Sequence, residues 1–322
     1  MVTSGPYEAT AQQDFTAATT RPMLERACRL AGVDSGHTRL LRHHSNAVYL
    51  VGRPPHEVVV KIGRPGPDPD QDLRDAHGLV ELTEWLTSHD VPTTTLLDTP
   101  HQPLFIDGHV VTLWHYLPQQ QPVTTHAIAA PLRALHQAPL PPITRPPLDP
   151  HAAITRSIAV SPILTSRQRR VLLDRLDRLM PAWTALCSSS AARLVHTDPQ
   201  HRNTLWRPSG ERSHQPGESD TGQAVLCDLD DVTLGPVEWD LVTIEIHYRR
   251  FGHADADYEG FCRAYGRDIR KWPGYPELRQ LRELRMVTTN ARKSAPGSPQ
   301  AAEVHRRIDG LEDAPDRRWR IL

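Results

Sequence analysis

Residues 194–206, LVHTDPQHRNTLW, gather four side chains that could do chemistry. These are His196, Asp198, His201 and Asn203. Two histidines and an aspartate could bind zinc, although the segment has neither the HExxH spacing nor a cysteine partner. An ordinary polar turn is a second interpretation. In a third, an aspartate after a strand lies beside a hydroxyl nucleophile, and an asparagine five residues later faces a hard cation, as in a kinase catalytic loop.

Two other segments carry charge where a buried strand is expected. Lys61 follows three valines, and it either extends from a strand edge to solvent or meets a fixed anion such as a phosphate. The segment VLCDLDD ends in Asp228, Asp230 and Asp231, which form either a solvated turn or a ligand set for Mg²⁺. A lysine, an Asp-x4-Asn loop and a strand-end aspartate, in this order, supply the groups that phosphoryl transfer needs.

The composition limits the class of protein. The chain has 322 residues and a formal net charge of −1, with four scattered cysteines and no CxxC pair. Balanced charge argues against nucleic acid as a partner. No segment reaches the ~20 apolar residues of a membrane span, and no signal sequence is apparent. We therefore expect a cytoplasmic protein with reduced thiols, one large domain or two lobes around a cleft.

The sequence patterns in the first third of the chain predict a small, mostly antiparallel sheet. A polar leader over 1–22 precedes a helix over 23–32. Strands are predicted over 38–52, with Asn46 as the turn residue, and over 56–63 and 109–118. A helix over 73–92 ends before Pro92.

The rest of the chain predicts mainly helices. They cover 125–139, 165–186, 238–252, 258–266 and 277–293. A proline-rich loop extends to about 150, a buried strand lies over 224–231, and 207–223 is rich in Ser, Gly and Pro. The predicted class is α+β. The predicted domains are a flexible leader (1–22), an N-lobe (23–112), a hinge (113–118) and a C-lobe (119–322).

Several motifs together resemble the aminoglycoside phosphotransferase and choline kinase-like family of small-molecule kinases. VHTDPQHRNTLW resembles its HxDxxxxN loop, and AVLCDLDD its strand ending in a metal-binding aspartate. GPVEWDLVTI is similar to the PxxWDL stretch. RLLRHHSNAVYLV, EVVVKI and VTLWHYLP resemble the nucleotide loop, lysine strand and hinge. The resemblance covers about residues 38–290 and implies a bilobal, protein-kinase-like fold with a small β-rich N-lobe and a larger helical C-lobe.

The resemblance also implies an activity and residue roles. The expected activity is transfer of phosphate from ATP, or alternatively GTP, with Mg²⁺ to a hydroxyl of a small molecule, an antibiotic being one candidate. Asp198 would orient or deprotonate the acceptor, while Asn203 and Asp228 would bind Mg²⁺. The nucleotide would contact Lys61, Ser45, Asn46 and the backbone of Leu113, His115 and Tyr116. His196 would be structural, and Asp240 would brace the loop.

The chain departs from the family pattern at two places. Thr197 and Arg202 stand where glycines are common around the catalytic loop. The position of the helix glutamate that pairs with the lysine holds Leu79 or His77, with Asp75 or Glu81 one turn away. These departures allow the alternative of a nucleotide-binding pseudokinase with a regulatory role. The sequence leaves the oligomeric state open.

Four acids bear on the identity of the acceptor, because the resemblance places them in the region where the family binds substrate. They are Asp255, Asp257, Glu259 and Asp268. Such acids could attract a polycationic aminoglycoside. They also alternate with arginines, which is typical of an ordinary solvated helix face.

Overall fold

The computed structural model describes residues 15–44, 46–208, 222–314 and 316–322. The chain divides into two compact units, and its class is α+β, as predicted. The first unit comprises Met1–Glu84 and Thr95–Tyr116, and the second comprises Trp85–Thr94 and Leu117–Leu322. Most of the Ser-, Gly- and Pro-rich segment over 207–223 lies outside the described residues.

The first unit contains a five-stranded antiparallel sheet. Its strands are β1 (Thr38–His43), β2 (Asn46–Val51), β3 (Val58–Gly63), β4 (Leu104–Ile106) and β5 (His109–His115). Their order is β1-β2-β3-β5-β4, which makes β3 the central strand. Helix α1 (Ala17–Ala31) covers one face of the sheet, and α2 (Pro69–Ser88) starts in this unit.

Strand β3 explains how a lysine is tolerated at the centre of a sheet. Val58, Val60 and Ile62 are buried and belong to the core that includes α1. Because side chains alternate along a strand, Lys61 points to the opposite face. Its direct neighbours there are Val48 on β2 and Thr112 on β5. The three consecutive valines therefore serve both faces of the sheet.

Two predictions for this unit need correction. The first helix begins at Ala17 rather than at residue 23, so residues 17–22 are helical and not part of a loose leader. Thr16 caps this helix, and the Thr20 hydroxyl bonds to the Tyr49 hydroxyl at 2.6 Å. Asn46 is not the turn residue. It starts β2 and pairs with Gly63.

The second unit is mainly helical. Its helices are α3 (Thr125–Gln137), α4 (Pro150–Val160), α5 (Ser166–Ser189), α6 (Glu238–Phe251), α7 (Asp255–Tyr265), α8 (Tyr275–Lys293) and α9 (Pro299–Asp309). Short strands β6 (Arg193–Val195) and β9 (Thr233–Gly235) pair with each other, as do β7 (Thr204–Arg207) and β8 (Gln223–Leu226). The sequence patterns did not predict α4 or α9. Among the described residues, no helix combines the length and apolar character needed to cross a membrane.

Helix α8 packs against α4, α5 and α6 and organises this unit. Its apolar residues Leu281 and Leu284 are fully buried. Glu283, also buried, accepts hydrogen bonds from Arg249 at 2.7 Å and Arg250 at 2.8 Å. These paired charges fix α8 against α6, since buried charges persist only when they are compensated.

Candidate active site

The segment after β6 forms a compact loop around Asp198. The Gln200 amide donates to one carboxylate oxygen at 2.6 Å. The Asn203 amide donates to the Asp198 carbonyl at 3.0 Å and to the same carboxylate oxygen at 3.3 Å. The structure therefore brings together Asp198 and Asn203, the pair that the sequence singled out. The Asp198 side chain remains 43% exposed, so it is accessible to a substrate.

Asp240 supports this loop from beneath. Its carboxylate, fully buried, accepts from the backbone N–H of His196 at 2.6 Å and from that of Thr197 at 2.8 Å. The His136 ring bonds to the same carboxylate at 3.0 Å. Asp240 lies on α6, so these bonds tie the loop to the first turn of that helix. The side chain is placed to hold the loop and is not among the residues lining the cavity described below.

Thr197 adopts a backbone conformation that explains the preference for glycine at this position. Its φ is +73°, in the left-handed region, where a β-branched residue is strained. The backbone is held there on both sides. The Thr197 carbonyl accepts from the Trp239 indole at 3.3 Å and from Arg282 at 3.1 Å, while its N–H is bound to Asp240.

Arg282 is the main functional residue that sequence analysis missed. This buried side chain of α8 donates to Asp198 at 3.1 Å and to the Thr243 hydroxyl at 2.7 Å. Burial alone would raise the pKa of the Asp198 carboxyl. The positive charge of Arg282, with the hydrogen bond from Gln200, instead holds this pKa below its ordinary value. An arginine within the apolar face of a predicted helix was the available signal.

The β7–β8 pair sets Asn203 beside the segment that carries Asp228. Thr204 pairs with Leu226, and the Cys227 N–H donates to the Asn203 carbonyl at 3.0 Å. The His196 ring bonds to the Cys227 carbonyl at 2.9 Å, which gives this histidine a structural contact. Asp228 itself is exposed and lies next in the chain.

The donor set around Asn203 is suited to Mg²⁺. Both atoms of Asp198 that Asn203 contacts are oxygens, so the contacting atom of the amide must be its nitrogen. The amide oxygen of Asn203 and the carboxylate of the exposed Asp228 are oxygen ligands of the type that Mg²⁺ prefers. Two protein ligands suffice, since Mg²⁺ completes its shell with water and phosphate oxygens.

The zinc interpretation of this loop does not hold in the structure. His196 bonds to a backbone carbonyl, and the His201 ring bonds to the Thr125 hydroxyl at 2.9 Å. Throughout the described part of the chain, no three His, Cys, Asp or Glu side chains are grouped to hold a metal ion.

In the first unit, Lys61 and Asn46 lie on one face of the sheet. Asn46 pairs with Gly63, two residues beyond Lys61, and directly opposed residues of antiparallel strands point to the same side. Ser45, the other residue expected in the nucleotide loop, lies outside the described residues.

The backbone groups at the end of β5 make hydrogen bonds that bear on the expected adenine contacts. The Leu113 N–H donates to the Gln102 side chain at 2.7 Å, and its carbonyl accepts from Leu97 at 2.9 Å. The His115 N–H donates to the Thr95 carbonyl at 3.0 Å. The N–H and the carbonyl of Leu113 therefore already have partners, and contact of His115 and Tyr116 with adenine stays a prediction.

A cavity of about 490 Å³ opens beside Asp198 within the second unit. Its walls come from the loop, from α6 and from α8, and include Thr197, Asp198, His247, Phe251, Arg282, Arg285 and Thr289. Neither Asn203 nor Asp228 lines it. Burial lowers the pKa of His247 to about 4, so this imidazole is neutral at neutral pH.

The four acids proposed to attract a polycation have other partners. Asp257 accepts from the backbone N–H groups of Thr125 and His126, at 2.9 Å each. The remaining three interact with Tyr248, Arg263 and Arg270. None of the four lines the cavity beside Asp198. They form the helix surface and its caps, which was the alternative interpretation.

Comparison with known proteins extends the resemblance over most of the chain. Three solved structures share the fold at low identity. A microcompartment-associated aminopropanol kinase is 17% identical, covering 90% of this chain and 94% of its own, with a TM-score of 0.68. Choline kinase LicA from Streptococcus pneumoniae is 14% identical, with coverages of 90% and 98% and a TM-score of 0.63. A spectinomycin phosphotransferase is 12% identical, with coverages of 92% and 95% and a TM-score of 0.58.

The fold of this chain is accordingly the protein-kinase-like fold of small-molecule kinases. No curated protein gives a significant match to the sequence. The sequence pattern of the Phosphotransferase enzyme family, however, matches residues 37–281, which include both the sheet of the first unit and the loop around Asp198. The chain therefore belongs to the phosphotransferase enzyme family, a family of small-molecule kinases.

Proposed function

We propose that this protein transfers the γ-phosphoryl group of ATP, in a Mg²⁺-dependent reaction, to a hydroxyl group of a small molecule. The observation that carries the proposal is the environment of Asp198. This carboxylate faces a cavity, keeps a lowered pKa beside Arg282, and bonds directly to Asn203. An accessible carboxylate whose lowered pKa keeps it ionised at neutral pH, next to an oxygen donor for a cation, is suited to orienting an acceptor hydroxyl.

In the proposed step, the acceptor hydroxyl donates a hydrogen bond to Asp198. A new bond forms between its oxygen and the γ-phosphorus, while the bond between the γ-phosphorus and the bridging oxygen of ADP breaks. The hydroxyl proton passes to the carboxylate. A carboxylate with a lowered pKa is a weak base, so Asp198 acts mainly by orientation and accepts the proton late.

The other groups would bind the second substrate. Asn203 and Asp228 would hold Mg²⁺, which when bound neutralises charge on the phosphates. Lys61 would contact the phosphates, and the backbone of His115 and Tyr116 would contact the base. GTP carries the same triphosphate, so the activity assay should compare the two nucleotides.

The test is Asp198→Asn, which keeps the shape of the side chain and removes its charge. We expect its rate of ADP release, with an active acceptor or as slow hydrolysis, to fall by about 10²–10⁴. Asp177→Asn, an exposed change on α5, is the matched control. An Asp198→Asn variant that works at the wild-type rate would refute the mechanism. ATP binding that does not depend on Mg²⁺ and is not followed by ADP release would favour the alternative of a pseudokinase.

A further inference from the structure

We propose that the acceptor is an anion, a hydroxyl compound with a carboxylate or phosphate group, and that Arg285 and Lys293 recognise this group. The inference rests on the proposed function, because it assigns the cavity beside Asp198 to the acceptor. It excludes a polycation as the preferred substrate.

The first observation is a polar face on α8. Arg282, Arg285, Thr289 and Lys293 recur every three to four residues, so they share one side of the helix, and all four line the cavity. Arg282 contacts Asp198, which marks the reacting end of this face. With a rise of 1.5 Å per residue, Arg285 lies about 4.5 Å farther along the helix axis, and Lys293 about 16 Å.

The second observation is the balance of charge in the cavity. Four of its charged groups already have partners. Arg282 pairs with Asp198, Arg307 pairs with Glu303 at 3.0 Å, and Asp149 caps α4. Throughout the described part of the chain, no carboxylate comes within ion-pair distance of Arg285 or Lys293.

The environment of Arg285 indicates excess positive charge. The half-buried side chain bonds to the Thr289 hydroxyl of its own helix. Burial, and then the positive charges of Arg282 and Arg292, lower the pKa of Arg285 to about 10, so it stays charged at neutral pH. A bound anion would offset this repulsion, and a guanidinium is well suited to carboxylate or phosphate oxygens.

Arg202 and Asp231 also line the cavity, and because their charges are opposite they do not reverse this balance. Burial raises the pKa of the Asp231 carboxyl, whose negative charge attracts Arg285. Burial lowers the pKa of His201, His247 and His253, so these rings add little positive charge of their own. Because Asn203 and Asp228 do not line the cavity, its arginines are not explained by the metal site.

The experiment compares ligands of equal skeleton and different charge. The three-carbon set is glycerol, glycerate, glycerol 3-phosphate and 3-amino-1,2-propanediol. The six-carbon set is glucose, gluconate, glucose 6-phosphate and glucosamine. Dissociation constants are measured by calorimetry on the full chain with saturating Mg²⁺ and a non-hydrolysable ATP analogue, so that the nucleotide site is filled. Comparison of the carboxylates with the phosphate esters shows which acidic group binds more tightly.

We expect at least one anion to bind about tenfold or more tightly than its neutral and cationic counterparts. Arg285→Gln should weaken binding of the preferred anion by about ten- to a hundredfold, whereas Arg285→Lys should keep part of the preference. The control Arg263→Gln removes the same charge from an exposed site on α7, with a side chain 72% exposed. The inference would be overturned if no anion bound, if the amines bound more tightly than the anions, or if Arg285→Gln kept the preference for anions unchanged.

The same compounds are then tested for ADP release with ATP and Mg²⁺. Release stimulated by an amine alone would uphold the phosphotransferase and refute the anionic acceptor. Binding that is selective for anions and depends on Arg285, without ADP release, would uphold the anion site and refute the phosphotransferase. If Arg285→Gln raised the KM for ATP as much as that for the acceptor, Arg285 would serve the nucleotide and the inference would fail.

Discussion

Replacing Thr197 by glycine tests how the loop holds Asp198. A β-branched residue at a φ of +73° carries strain. The left-handed region costs an L-residue roughly 1–2 kcal/mol, and β-branching places Thr197 near the upper end. Glycine removes that strain but adds about 0.5–1 kcal/mol of backbone entropy to the unfolded chain. We therefore expect Thr197→Gly to raise the free energy of unfolding by about 1 kcal/mol.

Thr197→Ala is the matched control because it shortens the side chain and retains the Cβ that causes the strain. Within the described residues, the hydrogen bonds of Thr197 use its backbone, so the alanine variant should relieve only the strain due to β-branching and gain less stability than the glycine variant.

The assay is urea denaturation followed by tryptophan fluorescence, with thermal unfolding as a second measurement. For a unit of this size, 1 kcal/mol corresponds to roughly 2–4 °C in Tm. A glycine variant less stable than wild type, or an alanine variant as stable as the glycine variant, would refute the assignment of strain to this backbone position.

Three further outcomes are expected. In the wild type, activity should be lost only as pH falls through the lowered pKa of Asp198. Arg282→Met removes the charge that lowers this pKa, so the acid limb of the kcat/KM profile should move to higher pH. An acid limb that does not move would contradict the pairing of Arg282 with Asp198. Asp240→Ala leaves buried donors without an acceptor and should lower the free energy of unfolding by about 3–5 kcal/mol, measured by urea denaturation. Trp319→Ala should cost about 3–5 kcal/mol, because this side chain is 5% exposed between Arg250 and Arg307; a shift below 1 kcal/mol would mean that the segment is not docked.

Much of the fold follows from local sequence. Three valines before Lys61 define β3, and the apolar spacing over 277–293 lies within α8. The closeness of Asp198 and Asn203 was also predictable, since five residues of one loop separate them. In these cases the signal and the structure lie within one segment of chain.

Longer-range features had no comparable signal. Arg282 meets Asp198 across 84 residues, and only the packing of α8 decides that contact. Helix α4 follows a proline-rich loop, although Asp149 and Pro150 are a good helix start. The acids of α7 seemed available for a substrate because sequence cannot show that Asp257 caps α3.

The contacts of the loop around Asp198 distinguish the side chains that support the loop from those proposed to act in the reaction. Asp240 holds two successive backbone N–H groups, and Arg282 holds the next carbonyl together with the Asp198 carboxylate. With the backbone fixed from both sides, the fold can maintain Thr197 in a conformation that usually requires glycine. A residue other than glycine at position 197 therefore need not abolish activity, since the position of Asp198 depends on two buried side chains from α6 and α8. Loss of Arg282 should be more damaging than any change at Thr197, because the arginine also sets the charge that Asp198 presents to an acceptor.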